Sequence, residues 1–423
     1  MQVARFHYFR HRTTMADQKE PKKGIERLAR EASLLPAEQL MPARSRGSEL
    51  VIGIPKENSL QEKRVALVPE GVALLVARGH QVLIETGAGI QAHYSDRDYS
   101  EAGARIVYDR RQAFQTSIVI KVEPPSVEEV DLMGMRSTLI SALQLSIQQE
   151  GLMKALAAKR ITAIAWDFIQ YDSGMYPLVR AMGEIAGNTA VLIAGELLAG
   201  PEGRGTMFGG VSGVRPSEVV IIGGGTVAEF AARSALGLGA VVKLFDDSPH
   251  RLIRLQNALG TRLWTSTLQP SILQDALRTA DVAIGAIRGT GQRSPLVVSE
   301  PMVAGMRPGT VIVDVTIDRG GCFETSRVTS HERPTYAEMD VIHYCVPNIP
   351  SRVSRTASKA LSNIFAPLLL EFASDGGVES SARMNRVTRS GIYMFGGVMT
   401  HAGIAHDQGL PFKDLDLLLA TNF

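Results

Sequence analysis

Cysteine is nearly absent: Cys322 and Cys345 are the only two in 423 residues, and they sit in unlike local patterns. A disulfide framework and a zinc site built from close-spaced cysteine pairs both need more sulfur than this. Neither is expected, no metal is expected, and a reducing cytoplasm is the expected compartment. Charge of one sign is missing too. The 45 Lys and Arg nearly cancel 43 Asp and Glu, so there is no electrostatic case for nucleic acid or an anionic membrane as partner. No apolar run approaches the roughly 20 residues that span a bilayer. The first residues, MQVARFHYFRHRTTM, are basic but lack the apolar stretch of a secretory signal. They read either as a transit peptide or as an over-extended start, with Met15 as the true one.

What is present is length and alternation. A chain of 423 residues exceeds one ordinary core, so two domains are expected. Residues 1–48 read as a partly helical arm, packed on the body or on a partner subunit. From residue 49, short apolar runs (LVIGIP, QVLIETG, RIVY, SIVIKV, STLISAL, ITAIAW) alternate with helical spacing, as in PEGVALLVARGH. After a long helix, Arg180–Leu198, the pattern restarts with EVVIIG, AVVKLFD, DVAIGAI, TVIVDVT and VIHYCV. Strands alternating with helices mean parallel sheets with right-handed crossovers. The fold class is therefore α/β with two Rossmann-like, doubly wound parallel-sheet domains. The tail after Pro350 reads as mostly helical and as returning to the first domain, which would then be discontinuous: 49–177 plus 354–423, with 178–353 between.

The sharpest local signal is VVIIGGGTVAEFAARSALGLGAVVKLFDDS. A strand runs into Gly223, Gly224, Gly225, Thr226, Val227 and Ala228, which fits G-x-G-x-x-G/A. Gly223 permits the tight turn, Gly225 lets backbone approach a pyrophosphate, and Ala228 lets helix and strand pack closely. The following helix start receives phosphate charge on its free N–H groups. The next strand ends in Asp246, about 20 residues on. A carboxylate there accepts from ribose hydroxyls and repels a 2′-phosphate, so NAD is expected rather than NADP. Asp247 reads as solvated.

The motifs IGIPKE…EKRVALVPEGV, IETGAG, IVIKVEPP, EIAG, VIIGGGTVAEFAARSALGLGA, ADVAIGAI, MRPGTVIVDVTIDRGGCFETS and IHYCVPNIPS together resemble the alanine dehydrogenase family. That family includes the NAD-binding part of pyridine nucleotide transhydrogenase, and the chain looks like a bacterial alanine dehydrogenase-like subgroup carrying an N-terminal arm. The resemblance implies NAD-dependent, reversible oxidative deamination of L-alanine to pyruvate and ammonia, in a cleft between the domains of a homo-oligomer. It implies that Arg64 holds the substrate carboxylate, a task suited to a planar guanidinium fork. It further implies that Lys121 faces the substrate, that Asp318 lies beside the nicotinamide, and that Asn348 and Ile287 line the cofactor. By local pattern alone, Arg64 would be a solvated charge, Lys121 a strand-end charge and Asp318 a turn former.

One position departs from the family. Where the resemblance implies a catalytic histidine, in TLISALQLSIQ, this chain has Gln144. Hydride loss leaves an imine whose hydrolysis needs proton transfers near neutral pH, which suit histidine. Glutamine hydrogen-bonds but does not titrate. Gln144 then positions substrate while Asp318 or Lys121 moves protons, or the substrate differs, or alanine chemistry is lost. A transhydrogenase-like NAD(H)-binding subunit and a non-catalytic NAD-binding protein are the alternatives. His343, within a strand pattern, and His401 read as structural, and Cys322 has no identifiable base beside it.

Overall fold

The computed structural model describes residues 47–59, 61–144, 151–288 and 293–421. The arm expected over 1–48 lies outside them up to Arg46. Each apolar run becomes a short strand: β1 (Val51–Ile54), β2 (Gln81–Glu85), β3 (Arg105–Val107), β4 (Ile118–Ile120), β5 (Thr138–Ser141) and β6 (Thr162–Ala165). Beyond the long helix Pro177–Ala199 come β7 (Glu218–Ile222), β8 (Val241–Phe245), β9 (Trp264–Ser266), β10 (Val282–Gly285), β11 (Val311–Asp314), β12 (Thr335–Glu338) and β13 (Val341–Tyr344). The tail adds β14 (Ile392–Phe395) and β15 (Val398–Met399).

The first sheet runs β15-β14-β6-β5-β4-β1-β2-β3 and the second β12-β13-β11-β10-β7-β8-β9. β1 to β6 and β7 to β11 with β13 pair in parallel. The central strands are apolar on both faces because helices cover both. Chain direction across the sheet reverses between β1 and β4, and again between β7 and β10. In open parallel sheets such switch points form the crevice where ligands bind.

Two antiparallel edges depart from the all-parallel expectation. β12 lies on β13. In the tail, β14 pairs with β6 and turns back into β15, so the tail is not helix alone. The segment IYMFGGVM alternates too weakly to announce a strand. Its pairing becomes favourable only because the free edge of β6 is there to receive it. The helix Ser354–Ser374 packs against the helix Pro69–Ala77 of the first sheet, burying Leu361, Phe365, Leu369 and Phe372 in the same core as Ile52, Leu67 and Val72. At about 1.5–3 kcal/mol per fully buried side chain, this apolar contact fastens the tail to the first half of the chain.

Candidate active site

At the carboxyl end of β7, Gly223 adopts φ +122, and a Cβ there would lie 2.4 Å from the Ala286 carbonyl oxygen. Only glycine fits, because the loops after β7 and β10 touch at this point. Gly223 N–H donates to Phe245 O at 2.6 Å and Ala286 N–H to Ile222 O at 2.7 Å, tying three strand ends together. Ile287 is buried beside them. Gly225 caps the helix Thr226–Gly237, and a Cβ on it would meet no atom of the described residues within 4 Å. That open space above the first helical turn, over Thr226, Val227 and Ala228, suits a pyrophosphate.

Asp246 follows β8 and is 1 % exposed. Its Oδ1 accepts from Ser248 N–H at 2.8 Å, whereas buried Oδ2 has no hydrogen-bond partner among the described residues and lies 3.6 Å from Arg251 Nη1. A buried carboxylate oxygen without a donor is costly, and a ribose hydroxyl would satisfy it. These residues fit NAD. Asp247 is exposed.

On the opposite wall, Arg64 follows β1 and is 4 % exposed. Glu62 grips its fork from both sides, Nε to Oε1 at 2.7 Å and Nη2 to Oε2 at 2.6 Å, and Nη1 reaches Met182 Sδ at 3.2 Å. Burial works against the Arg64 charge, but the Glu62 carboxylate outweighs it and the pKa is raised. Gln144, just past β5, has φ 39, and among the described residues its buried Oε1 has no hydrogen-bond partner. The neighbouring Asp167, past β6, accepts the Leu143 N–H at 3.0 Å.

The resemblance puts Lys121 against the substrate; in the structure its side chain is 2 % exposed and its ammonium lies 3.1 Å from both Glu57 and Glu129. Arg110 and Asn58 also hold Glu129. Burial opposes the charge and the two carboxylates override it, raising the pKa. Lys121 is thus the centre of a buried ion-pair cluster.

The second sheet brings Asp318 on the 3-10 turn Val315–Arg319 after β11, and Asn348 after β13. Asn348 N–H donates to Asp318 Oδ1 at 2.9 Å, while its side-chain Nδ2 donates to Glu62 Oε2 at 2.8 Å. A continuous line, Arg64–Glu62–Asn348–Asp318, therefore joins the walls. The Asp318 side chain touches solvent, yet the protein crowded around it raises its pKa, against the Asn348 N–H and Arg64. Beneath the loop, fully buried Asp314 accepts from Thr316 N at 3.0 Å, Cys322 N at 2.9 Å and Ser326 Oγ at 2.7 Å, which holds the Asp318 turn in place.

Cys322 is buried, and burial pushes its thiol well above the ordinary value, so it is no nucleophile. His343 is buried on β13, its ring nitrogens engaged by Thr325 Oγ1 and Val341 O. His401 caps the helix Ala402–Gln408 through Nδ1. Two site residues escaped sequence reasoning. Glu62 is visible only as an acid two places before Arg64. Glu123 is visible only as an acid followed by two prolines where a strand ends.

Two mostly parallel α/β sheets with switch points, a dinucleotide turn on one and a charged line across to the other, define a two-domain NAD-dependent oxidoreductase. The chain belongs to the alanine dehydrogenase/PNT family: its N-terminal domain model matches residues 53–186 and its C-terminal domain model residues 190–402. Alanine dehydrogenase of Bacillus subtilis (strain 168) is 39% identical over 365 residues, 86% of this chain and 96% of that protein. That of Mycolicibacterium smegmatis is 39% identical over 88% of this chain and 100% of its own length. A solved L-alanine dehydrogenase superposes with TM-score 0.79 at 38% identity, covering 84% of this chain and 98% of its own. A transhydrogenase from Sinorhizobium meliloti, 22% identical over 84% of this chain and 99% of its own, shares the fold with TM-score 0.70. Among the described residues no helix is long and apolar enough to cross a membrane.

Proposed function

We propose that this chain catalyses NAD-dependent oxidative deamination of a small L-amino acid, alanine being the first to test, to its 2-oxo acid and ammonia. The observation that carries this reading is the Arg64–Glu62–Asn348–Asp318 line, which ties a guanidinium on one wall to a carboxylate on the other. NAD, when bound, supplies the hydride acceptor. Gly223, Gly225, Thr226, Val227, Ala228, Asp246, Ile287 and Asn348 hold it. Arg64 orients the substrate carboxylate, Gln144 offers its amide to the substrate, and Asp318 stands beside the reacting carbon. Lys121 contributes by holding Glu57 and Glu129 in place behind Arg64.

The test is purified protein with NAD and a panel of L-amino acids, following NADH absorbance. Turnover dependent on Arg64 supports the reading. Tight NAD binding with no amino acid oxidised overturns it. Gln144 favours a second reading, a transhydrogenase-like NAD(H)-binding subunit, because hydride passing between nucleotides needs no titrating group at that position. Hydride exchange between NADH and an oxidised nucleotide analogue would separate the two.

The substrate-binding unit is assigned to 49–177 with 354–423, and the NAD-binding unit to 178–353. Two buried free thiols suit a cytoplasmic site of action. A homo-oligomer is the expected form, testable by mass in solution.

A further inference from the structure

The cleft has a chemical gap. Deamination needs a group that gives and takes protons near neutral pH. Gln144 does not titrate, and Lys121 is locked between carboxylates. The carboxyl edge of the first sheet carries one more group. β4 and β5 stay paired past their ends: Lys121 N–H donates to Ile140 O at 2.9 Å and Ala142 N–H to Val122 O at 3.1 Å. Trp166 Nε1 donates to the same Val122 oxygen at 2.9 Å. Continuing that register sets Glu123 opposite Leu143, the residue before Gln144, on adjacent strands. Arg64 arrives from β1, the next strand over, and Asp167 from β6 on the far side.

The carboxylates of this edge are not equivalent. Glu62 is clamped on Arg64, Glu57 and Glu129 on Lys121, Asp167 on the Leu143 N–H and Asp318 on the Asn348 N–H. Glu123 is partly buried, and among the described residues no hydrogen bond or ion pair engages its carboxyl group. It is an acid just past the carboxyl end of β4, among Glu57, Glu62, Arg64 and Lys121, with its oxygens uncommitted among the described residues. We propose that Glu123 exchanges protons with the substrate in this cleft, supplying the acid–base function that Gln144 lacks; the assignment rests on the deamination reading above.

Its surroundings suit the task. Burial raises its pKa to about 7, Glu62 and Glu57 add to the rise, and Arg64 and Lys121 oppose it. At neutral pH both protonation states are then populated, the condition under which a proton carrier works best. The proton balance closes. As carboxylate, Glu123 takes one proton from the substrate ammonium and releases it to solvent, which is the net proton of the reaction. The freed nitrogen lone pair forms the C=N bond as hydride leaves Cα. Glu123 next takes a proton from the water whose oxygen bonds to that carbon, and donates it to nitrogen. The C–N bond then breaks, and ammonia departs with the hydroxyl proton as ammonium, leaving the 2-oxo acid.

The first arm of the test needs no turnover. Infrared difference titration of the wild type should show a carboxyl group changing state around pH 7, and E123Q should lack it. Identical titrations in the two proteins overturn the proposal. The second arm compares kcat against pH for the best amino acid. E123Q should lose about 10²–10⁴-fold in kcat and lose the acid limb of the profile, with NAD affinity unchanged and partial recovery in E123D. An acid limb that survives in E123Q and vanishes in D318N overturns it in favour of Asp318. If the wild type deaminates no amino acid, the dehydrogenase reading falls and the catalytic assignment falls with it, whereas a failed infrared titration removes Glu123 alone.

Discussion

The two walls of the cleft are built on different principles. The nucleotide wall relies on backbone. Gly223 closes a turn, Gly225 leaves space, and the first turn of the helix Thr226–Gly237 presents N–H groups. The facing wall relies on side-chain charge. Arg64, Lys121 and Arg110 are set among Glu57, Glu62, Glu123 and Glu129, contributed by segments up to 72 residues apart (57 to 129). A backbone site is written in one continuous stretch. A charged site depends on which carboxylate reaches which cation, and a buried pair is secure only while both partners remain.

That contrast predicts unequal responses to substitution. The largest effect is expected at Lys121. Lys121→Met leaves Glu57 and Glu129 buried without their shared cation, a loss of about 3–5 kcal/mol, read as a large fall in Tm. A variant that melts with the wild type while losing only turnover would return Lys121 to the substrate. On the nucleotide wall, two glycines two residues apart, Gly223 and Gly225, should separate folding from binding. Gly223→Val forces a side chain into the Ala286 carbonyl and a left-handed backbone, and should lower Tm. Gly225→Val meets only open space and should melt normally, while weakening NAD binding about 100-fold, equivalent to about 2.7 kcal/mol. Calorimetry on both variants checks this, and equal losses of Tm would contradict it.

Smaller changes sharpen the account of the charged wall. Gln144→His should raise the L-alanine oxidation rate roughly tenfold to a hundredfold, the lower part of what a placed acid–base group contributes. The backbone there, φ 39, is one that histidine tolerates better than most residues. An unchanged or lower rate across pH would make glutamine a full member of the site. The smallest effect is on stability. The Glu123 carboxyl ionises at about 7 in the folded chain against an ordinary 4.5. Between those values the folded state holds the extra proton, so stability falls as pH rises. The advantage is fully present below about pH 4.5 and is lost through pH 7. Relative to E123Q, the wild-type Tm should decline across that window, and parallel curves would contradict it.

How much of this was legible in sequence follows from the same difference. Every central strand was announced by an apolar run, because strands covered on both faces must be apolar throughout. Strands β9, β12, β14 and β15 were not. β9, β12 and β15 are short, partly exposed sheet edges, and β14 is a four-residue run, buried only because it is received between β6 and β15. In the candidate site, Gly223, Gly225 and Asp246 were singled out by local spacing, and Arg64, Asp318 and Asn348 by family resemblance. Lys121 was placed in the cleft by the same resemblance, yet its ammonium is buried among carboxylates that the sequence does not connect to it.

The amino-acid sequence by itself determined the alternation of strands and helices, the glycine turn and the residue that closes it, because these depend on period, backbone freedom and neighbours within about 25 residues. Only the tertiary structure decided which charges are committed and which are free. Glu62 claims Arg64, Glu57 and Glu129 claim Lys121, and Glu123 is left unpaired among the described residues. The physical reason is that the strength of an ion pair and the pKa of an acid are set by distance and burial, and neither exists until strands far apart in the chain lie side by side.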